Sequence, residues 1–190
     1  MKKTFESKLP EGYREVYHID AANIKIGILL NLIALVLMIV SLIICVILIR
    51  PASFTFTMGP WFGMLAVLLL YLVAHELVHG AAYKLLTGQR LTYGFNGMVA
   101  FCGVPDIYVY RKTALIALMA PFTVFSVVFI AAMILIPNDF YKILCAFLFS
   151  AHFGGCVGDL YDTLLYLFRF RDPATLMRDT GPAQTFYVKE

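Results

Sequence analysis

An apolar run from Ile26 to Ile49 carries no charged side chain. About 20 such residues are what an α-helix needs to cross a bilayer. Inside hydrocarbon every backbone N–H and C=O must be bonded within the segment, so the run has to be helical. Three more runs meet the length requirement: Trp61 to Leu86, Thr113 to Ile136 and Ile143 to Phe168. The chain is 61% hydrophobic and 14% charged, against about 25% charged for a soluble domain. These runs predict an all-α membrane protein with four transmembrane helices, forming a single integral membrane domain over residues 1–190. Its spans are 26–49, 61–86, 113–136 and 143–168. Residues 1–25 form an N-terminal segment and residues 169–190 a polar, turn-rich tail that packs loosely.

Charge placement orients the bundle. Lys2, Lys3, Lys8, Arg14 and Lys25 precede span one. Lys84, Arg90, Arg111 and Lys112 lie at the end of span two or in the loop after it. Arg169, Arg171, Arg178 and Lys189 follow span four. Thirteen of the 15 basic residues thus fall on one side, which the positive-inside rule makes cytoplasmic. Both termini and the central loop are expected there, in the plasma membrane of a prokaryote. About 25 mostly polar residues precede the first run, which is too long for a signal-peptide core. No basic stripe interleaved with aromatics is present, which argues against nucleic acid as a partner. Cys45, Cys102, Cys145 and Cys156 form no CxxC pair and predict no disulfide framework.

The loop between spans two and three is apolar and contains Asn96-Gly97, a strong hairpin signal. It predicts a small β-hairpin, Leu91–Phe95 with Met98–Cys102, turning through a two-residue type I′ loop. Such a hairpin can dip into the bilayer if its edges are covered, or serve as a tight connector at the headgroups.

Span two contains the sequence HELVH, His75 to His79. Ionisable groups are costly in hydrocarbon and point to function there. His75 and His79 are i and i+4, so on a helix they share a face and can bind one Zn²⁺. Glu76 adjoins the first ligand, where it can act as general base toward a water activated by the metal. A catalytic zinc usually has three protein ligands. The candidates for the third are Asp159, His152 and Asp162 on span four.

Helical rise puts His75 about 21 Å and His79 about 27 Å from Trp61, and Asp159 about 24 Å from Ile143. The three groups lie at similar depth, in the cytoplasmic half. Gly154, Gly155 and Gly158 thin the helix around Asp159 and favour close approach. Asp159 is therefore preferred, the alternative being a protonated carboxyl or a cap on a broken helix. His152, about 10 Å from Asp159 on a straight helix, fits a supporting or access-path role, or that of a hydrogen-bonded core histidine. Asp162 either orients a ligand or faces interfacial water. Cys156 is a weaker candidate. Pro121, near the start of span three, can free backbone groups to bond near the site.

The chemistry this predicts is zinc-dependent hydrolysis of peptide bonds, with a membrane protein or peptide as substrate and the lipid bilayer as surroundings. The strands flanking Asn96 and Gly97 offer an edge to an extended substrate.

HELVHG on span two, the apolar hairpin, Ala120-Pro121 and Gly158-Asp159 together resemble the zincin-like integral membrane zinc peptidases. More distantly they resemble the site-2 proteases. The resemblance spans about Trp61 to Phe168 and implies an intramembrane zinc site with Asp159 as third ligand. The chain departs from the site-2 pattern, which has Asn three residues before its proline and Gly after the aspartate; here Leu118 and Leu160 stand at those positions. The rival reading is a zinc-binding membrane scaffold or regulator without hydrolysis. Transport is disfavoured by the absence of a repeated pair of broken spans.

Overall fold

A computed structural model describes residues 3–51 and 58–190, so Lys2 among the basic residues above lies outside them. In chain order the elements are β1 (Phe5–Glu6), β2 (Tyr13–Asp20), α1 (Ile24–Ile49), α2 (Met58–Thr87), β3 (Thr92–Phe95) and β4 (Ala100–Gly103). There follow β5 (Tyr108–Tyr110), α3 (Arg111–Leu135), α4 (Asp139–Gly155), α5 (Val157–Leu164), a π-helical turn (Leu165–Arg169), β6 (Leu176–Asp179) and β7 (Ala183–Lys189). Three helices, α1, α2 and α3, are long and apolar enough to cross a membrane. The candidate spans number up to four if α4 and the segment Val157–Arg169, bent by 47°, count as one. In α1 the most apolar window has a hydropathy of 3.6, yet only 6% of it is buried in the protein. A surface that apolar is compatible with a membrane span.

The all-α reading is wrong. The polar segments fold into an antiparallel five-stranded sheet, order β1-β5-β6-β7-β2, and β3 and β4 form a separate two-stranded sheet, so the chain is mixed α/β. The sheet joins the segments before α1, between α2 and α3, and after the bent pair. These are the three basic segments that charge counting put on one side. The tail is no loose appendage, because Leu176, Met177 and Phe186 are fully buried.

Two features hid these strands. Between Glu15 and Tyr17 the β2–β7 register shifts by a bulge, so Val16 and Tyr17 both pack on the core and the period-2 alternation fails. β5 and β6 are only three and four residues long, too short for periodicity to register.

The β3–β4 register pairs Phe95 with Ala100 and Thr92 with Gly103. The turn is therefore four residues, not a two-residue type I′ loop. Only Gly97 takes a positive φ there, at 88°. The Asn96 side-chain carbonyl accepts from the backbone N–H groups of Met98 and Val99, and the Asn96 N–H bonds Val99 O, so side chain and backbone together close the turn.

The α4–α5 break comes at Gly155-Cys156. Gly154 lies against α1, where an added Cβ would stand 2.4 Å from Ala34 O. Small residues permit this close crossing in a membrane. Gly155 and Gly158 instead face open space. Beyond the break, α5 carries Asp159 toward α2. One main core cluster lies between the sheet and the helix ends, around Tyr83, Val109, Leu118, Tyr166, Met177 and Phe186. A smaller one, Tyr71, Phe129 and Leu148, lies within the bundle.

Candidate metal centre

Helix α2 presents a buried stripe at i, i+4, i+8 and i+12: Tyr71, His75, His79 and Tyr83. The two histidines in its middle meet Asp159 from α5. His75 Nε2 is 3.2 Å from His79 Nε2 and 3.4 Å from Asp159 Oδ2. His79 Nε2 is 3.3 Å from Asp159 Oδ1. The structure thus brings the histidine pair together with a carboxylate 80 residues beyond His79 in sequence.

The ring orientations follow from fixed partners. His79 Nδ1 lies 2.9 Å from Ala117 O. A carbonyl only accepts, so Nδ1 carries the hydrogen and Nε2 of the neutral ring carries a lone pair. Pro121 has no N–H to offer that carbonyl across the helical turn. His75 Nδ1 bonds the Tyr71 hydroxyl at 3.0 Å, which leaves its Nε2 facing the same point. Two nitrogen lone pairs and a carboxylate turned toward one another can hold a cation between them. The separations of 3.2–3.4 Å match the edge of a tetrahedron, about 3.3 Å, whose corners lie about 2.0 Å from its centre. The donor set, two imidazoles and one carboxylate, suits Zn²⁺.

These residues open onto a cavity of about 280 Å³ that Glu76 also lines. Its walls include Asn31 from α1, residues 98–102 of the hairpin, Gly155 and Gly158 at the helix break, and the β6–β7 turn. Asp162 lines it too; it is buried, and its Oδ1 has no hydrogen-bond partner among the described residues. Asn96 and Gly97 do not line this cavity; they shape the hairpin tip, and Gly97 borders a shallower groove with Asn31. His152 is fully buried and joins neither His79 nor Asp159. With His75 and Cys156 it forms a second group whose donor atoms lie within 4.8 Å of one another.

Four contributors carry no motif like HELVH in the sequence. Tyr71 and Tyr83 continue the i+4 stripe of the histidines, a signal that could have found them. Asn31 is the one amide in span one. Asp179 lies in the segment taken for a loose tail. Its carboxylate accepts from Tyr83 Oη at 2.7 Å, from the Gly181 N–H at 2.9 Å and from Gln184 Nε2 at 3.2 Å. It thereby ties the end of α2 to the β6–β7 turn. Burial raises its pKa above the ordinary 3.8, against the lowering effect of those donors. The Cys102 thiol, in the hairpin wall, is pushed up to about 12 by burial and then by Asp179.

The glycine after HELVH has a packing role. An added Cβ at Gly80 would stand 1.9 Å from the Tyr93 hydroxyl. The hairpin therefore lies directly on α2 beside the metal-facing turn. On its other side Gly103 abuts Gly181, where a Cβ would come within 2.3 Å of Gly181 N, and the Val104 N–H bonds Asp179 O. The hairpin is clamped between α2 and the β6–β7 turn.

Residues 67–174, more than half of the chain, match the family described as "Putative zincin peptidase". No curated protein and no solved structure matches the chain. The matched segment holds HELVH, the β3–β4 hairpin, Pro121 and Asp159; α1, β2 and the whole β6–β7 hairpin lie outside it.

Proposed function

The chain belongs to that family of putative zincin peptidases; from this premise we propose that it is a zinc metallopeptidase cutting peptide bonds within or beside the membrane. His75, His79 and Asp159 hold the ion and Glu76 is the general base. The observation that carries the reading is the triangle of 3.2–3.4 Å between three buried or half-buried donor atoms, opening on a cavity that Glu76 lines. Bound zinc would lower the pKa of water and polarise the scissile carbonyl.

The residues of the chain supply the rest. The Ala117 carbonyl and the Tyr71 hydroxyl hold the two rings. Glu76 takes a proton from the attacking water and returns it to the leaving nitrogen. A substrate peptide must be extended to enter. The β4 strand, which lines the cavity beside the metal-facing turn, offers it backbone groups on the edge away from β3. Asn96 and Gly97 act only indirectly, by shaping the tip of that hairpin. Gly155 and Gly158 leave room for a backbone to pass.

The substrate is a membrane protein or a membrane-bound peptide, and the sheet side faces the cytoplasm of a prokaryotic cell. The gathering of the basic segments into one sheet supports that orientation.

Glu76→Gln tests the proposal. It removes the base and keeps the ligands, so zinc content should stay at the wild-type level. Cleavage of membrane peptides, followed by mass spectrometry of fragments, should fall about 100- to 10,000-fold. Unchanged cleavage would overturn the assignment of Glu76. A zinc-loaded wild type that cuts nothing would leave a scaffold.

A further inference from the structure

The side of His75 that faces away from Asp159 opens onto a polar chain in the middle of the bundle. His75 Nδ1 is 3.0 Å from Tyr71 Oη, and Tyr71 Oη is 2.8 Å from His152 Nδ1. His152 Nε2 lies 3.3 Å from Phe122 O and 3.2 Å from Ser126 Oγ. At the far end Phe122, Phe125, Phe129 and Phe149 pack around the His152 ring at centroid distances of 5.8–6.4 Å, while Tyr71 also lines the cavity beside the metal-facing turn.

One end of this chain has a fixed polarity. The Phe122 carbonyl can only accept, so His152 Nε2 carries the hydrogen and His152 Nδ1 carries a lone pair. That lone pair takes the Tyr71 hydroxyl hydrogen. Tyr71 oxygen then accepts from His75 Nδ1–H, and His75 Nε2 is left bare toward Asp159 and His79. The Cys156 thiol, 3.5 Å from His152 Nδ1, is a second donor of the same sense. Helix α3 therefore sets both histidines through its carbonyls. Ala117 O does so directly at His79, and Phe122 O does so through two intervening side chains at His75.

We propose that Tyr71 and His152 are positioning residues for the metal, acting in series to hold His75 in the tautomer and orientation that bind it. The proposal rests on the zinc site put forward above. Groups that orient a metal-bound histidine typically change metal affinity 10- to 100-fold when removed. Here the aromatic packing around His152 keeps water from replacing the bond lost there.

The test is zinc affinity, measured on the full-length protein in detergent by competition with a chelator. Co²⁺ absorption reports ligand geometry alongside it. Tyr71→Phe and His152→Leu should each weaken zinc about 10- to 100-fold and shift the Co²⁺ bands. The double variant should be no weaker than the worse single one, because the two act through one bond to His75. His152→Asn keeps an acceptor where Nδ1 stood and should restore affinity to within a few-fold of wild type. Wild-type affinity in Tyr71→Phe would overturn the proposal alone, as would losses that multiply in the double variant or a His152→Asn no better than His152→Leu. A wild type that binds no zinc would overturn the site itself and the proposal with it.

Discussion

Replacing Pro121 with Ala should move two properties in opposite directions. Pro121 sits inside α3, where its ring leaves Ala117 O without the helical N–H and crowds that carbonyl outward. The same oxygen receives His79 Nδ1 at 2.9 Å. In Pro121→Ala the restored N–H competes for the carbonyl and draws it back toward the helix axis. Removing an interior proline gains about 3 kcal/mol. Loss of two buried methylenes costs about 1.6 kcal/mol, so the metal-free protein should gain about 1–2 kcal/mol. His79 meanwhile loses its orienting partner, and zinc affinity should fall about 10- to 100-fold, or about 1.4–2.7 kcal/mol. Thermal unfolding with chelator present measures the first quantity, and chelator competition in detergent measures the second. Unchanged zinc affinity would show that the Ala117 carbonyl serves both donors and that the proline has no part in the site. A parallel loss of stability and affinity would mean simple damage to the helix.

Three other outcomes follow from the packing. Gly154→Ala puts a Cβ 2.4 Å from the Ala34 carbonyl. It should force α1 and α4 apart at a cost of about 1–3 kcal/mol, read as a lower melting temperature in detergent with zinc stoichiometry retained. Phe186→Ala, at a fully buried position on β7, should cost about 3–5 kcal/mol; a negligible change in chemical denaturation would contradict the tail's place in the core. Asp179 has a folded pKa above its ordinary 3.8. Its contribution is intact below about pH 4 and is withdrawn as pH rises through the raised value. Asp179→Asn cannot ionise, so the stability of the variant relative to wild type should increase as pH rises from about 4 through the raised value. A flat difference across that range would show that the carboxyl does not titrate there.

The helices and the site were more legible in the sequence than the sheet, for a physical reason. Lipid imposes a strong single-residue rule, and a run such as Ile26–Ile49 has one structural solution. Metal chemistry imposes another, and His75, Glu76, His79 and Asp159 carry it in their side-chain types. The strands obey neither rule. β5 and β6 are short, β2 is interrupted at Val16, and their pairing joins residues as distant as Tyr13 and Lys189, a choice made by tertiary packing rather than local preference. Tyr71 is an intermediate case. Its i−4 spacing from His75 was visible, but an isolated tyrosine in an apolar run reads as core until His152, 81 residues away, is seen bonded to it.

The central claim is that His75, His79 and Asp159 form one zinc site. The most direct test is metal content by mass spectrometry of protein purified without added chelator, comparing wild type with Asp159→Ala. One zinc per chain in wild type, and little or none in Asp159→Ala at an unchanged fold, is the predicted result. Undiminished zinc in Asp159→Ala would contradict it and move the third ligand elsewhere, with the His152–Cys156 group beside His75 the first place to look.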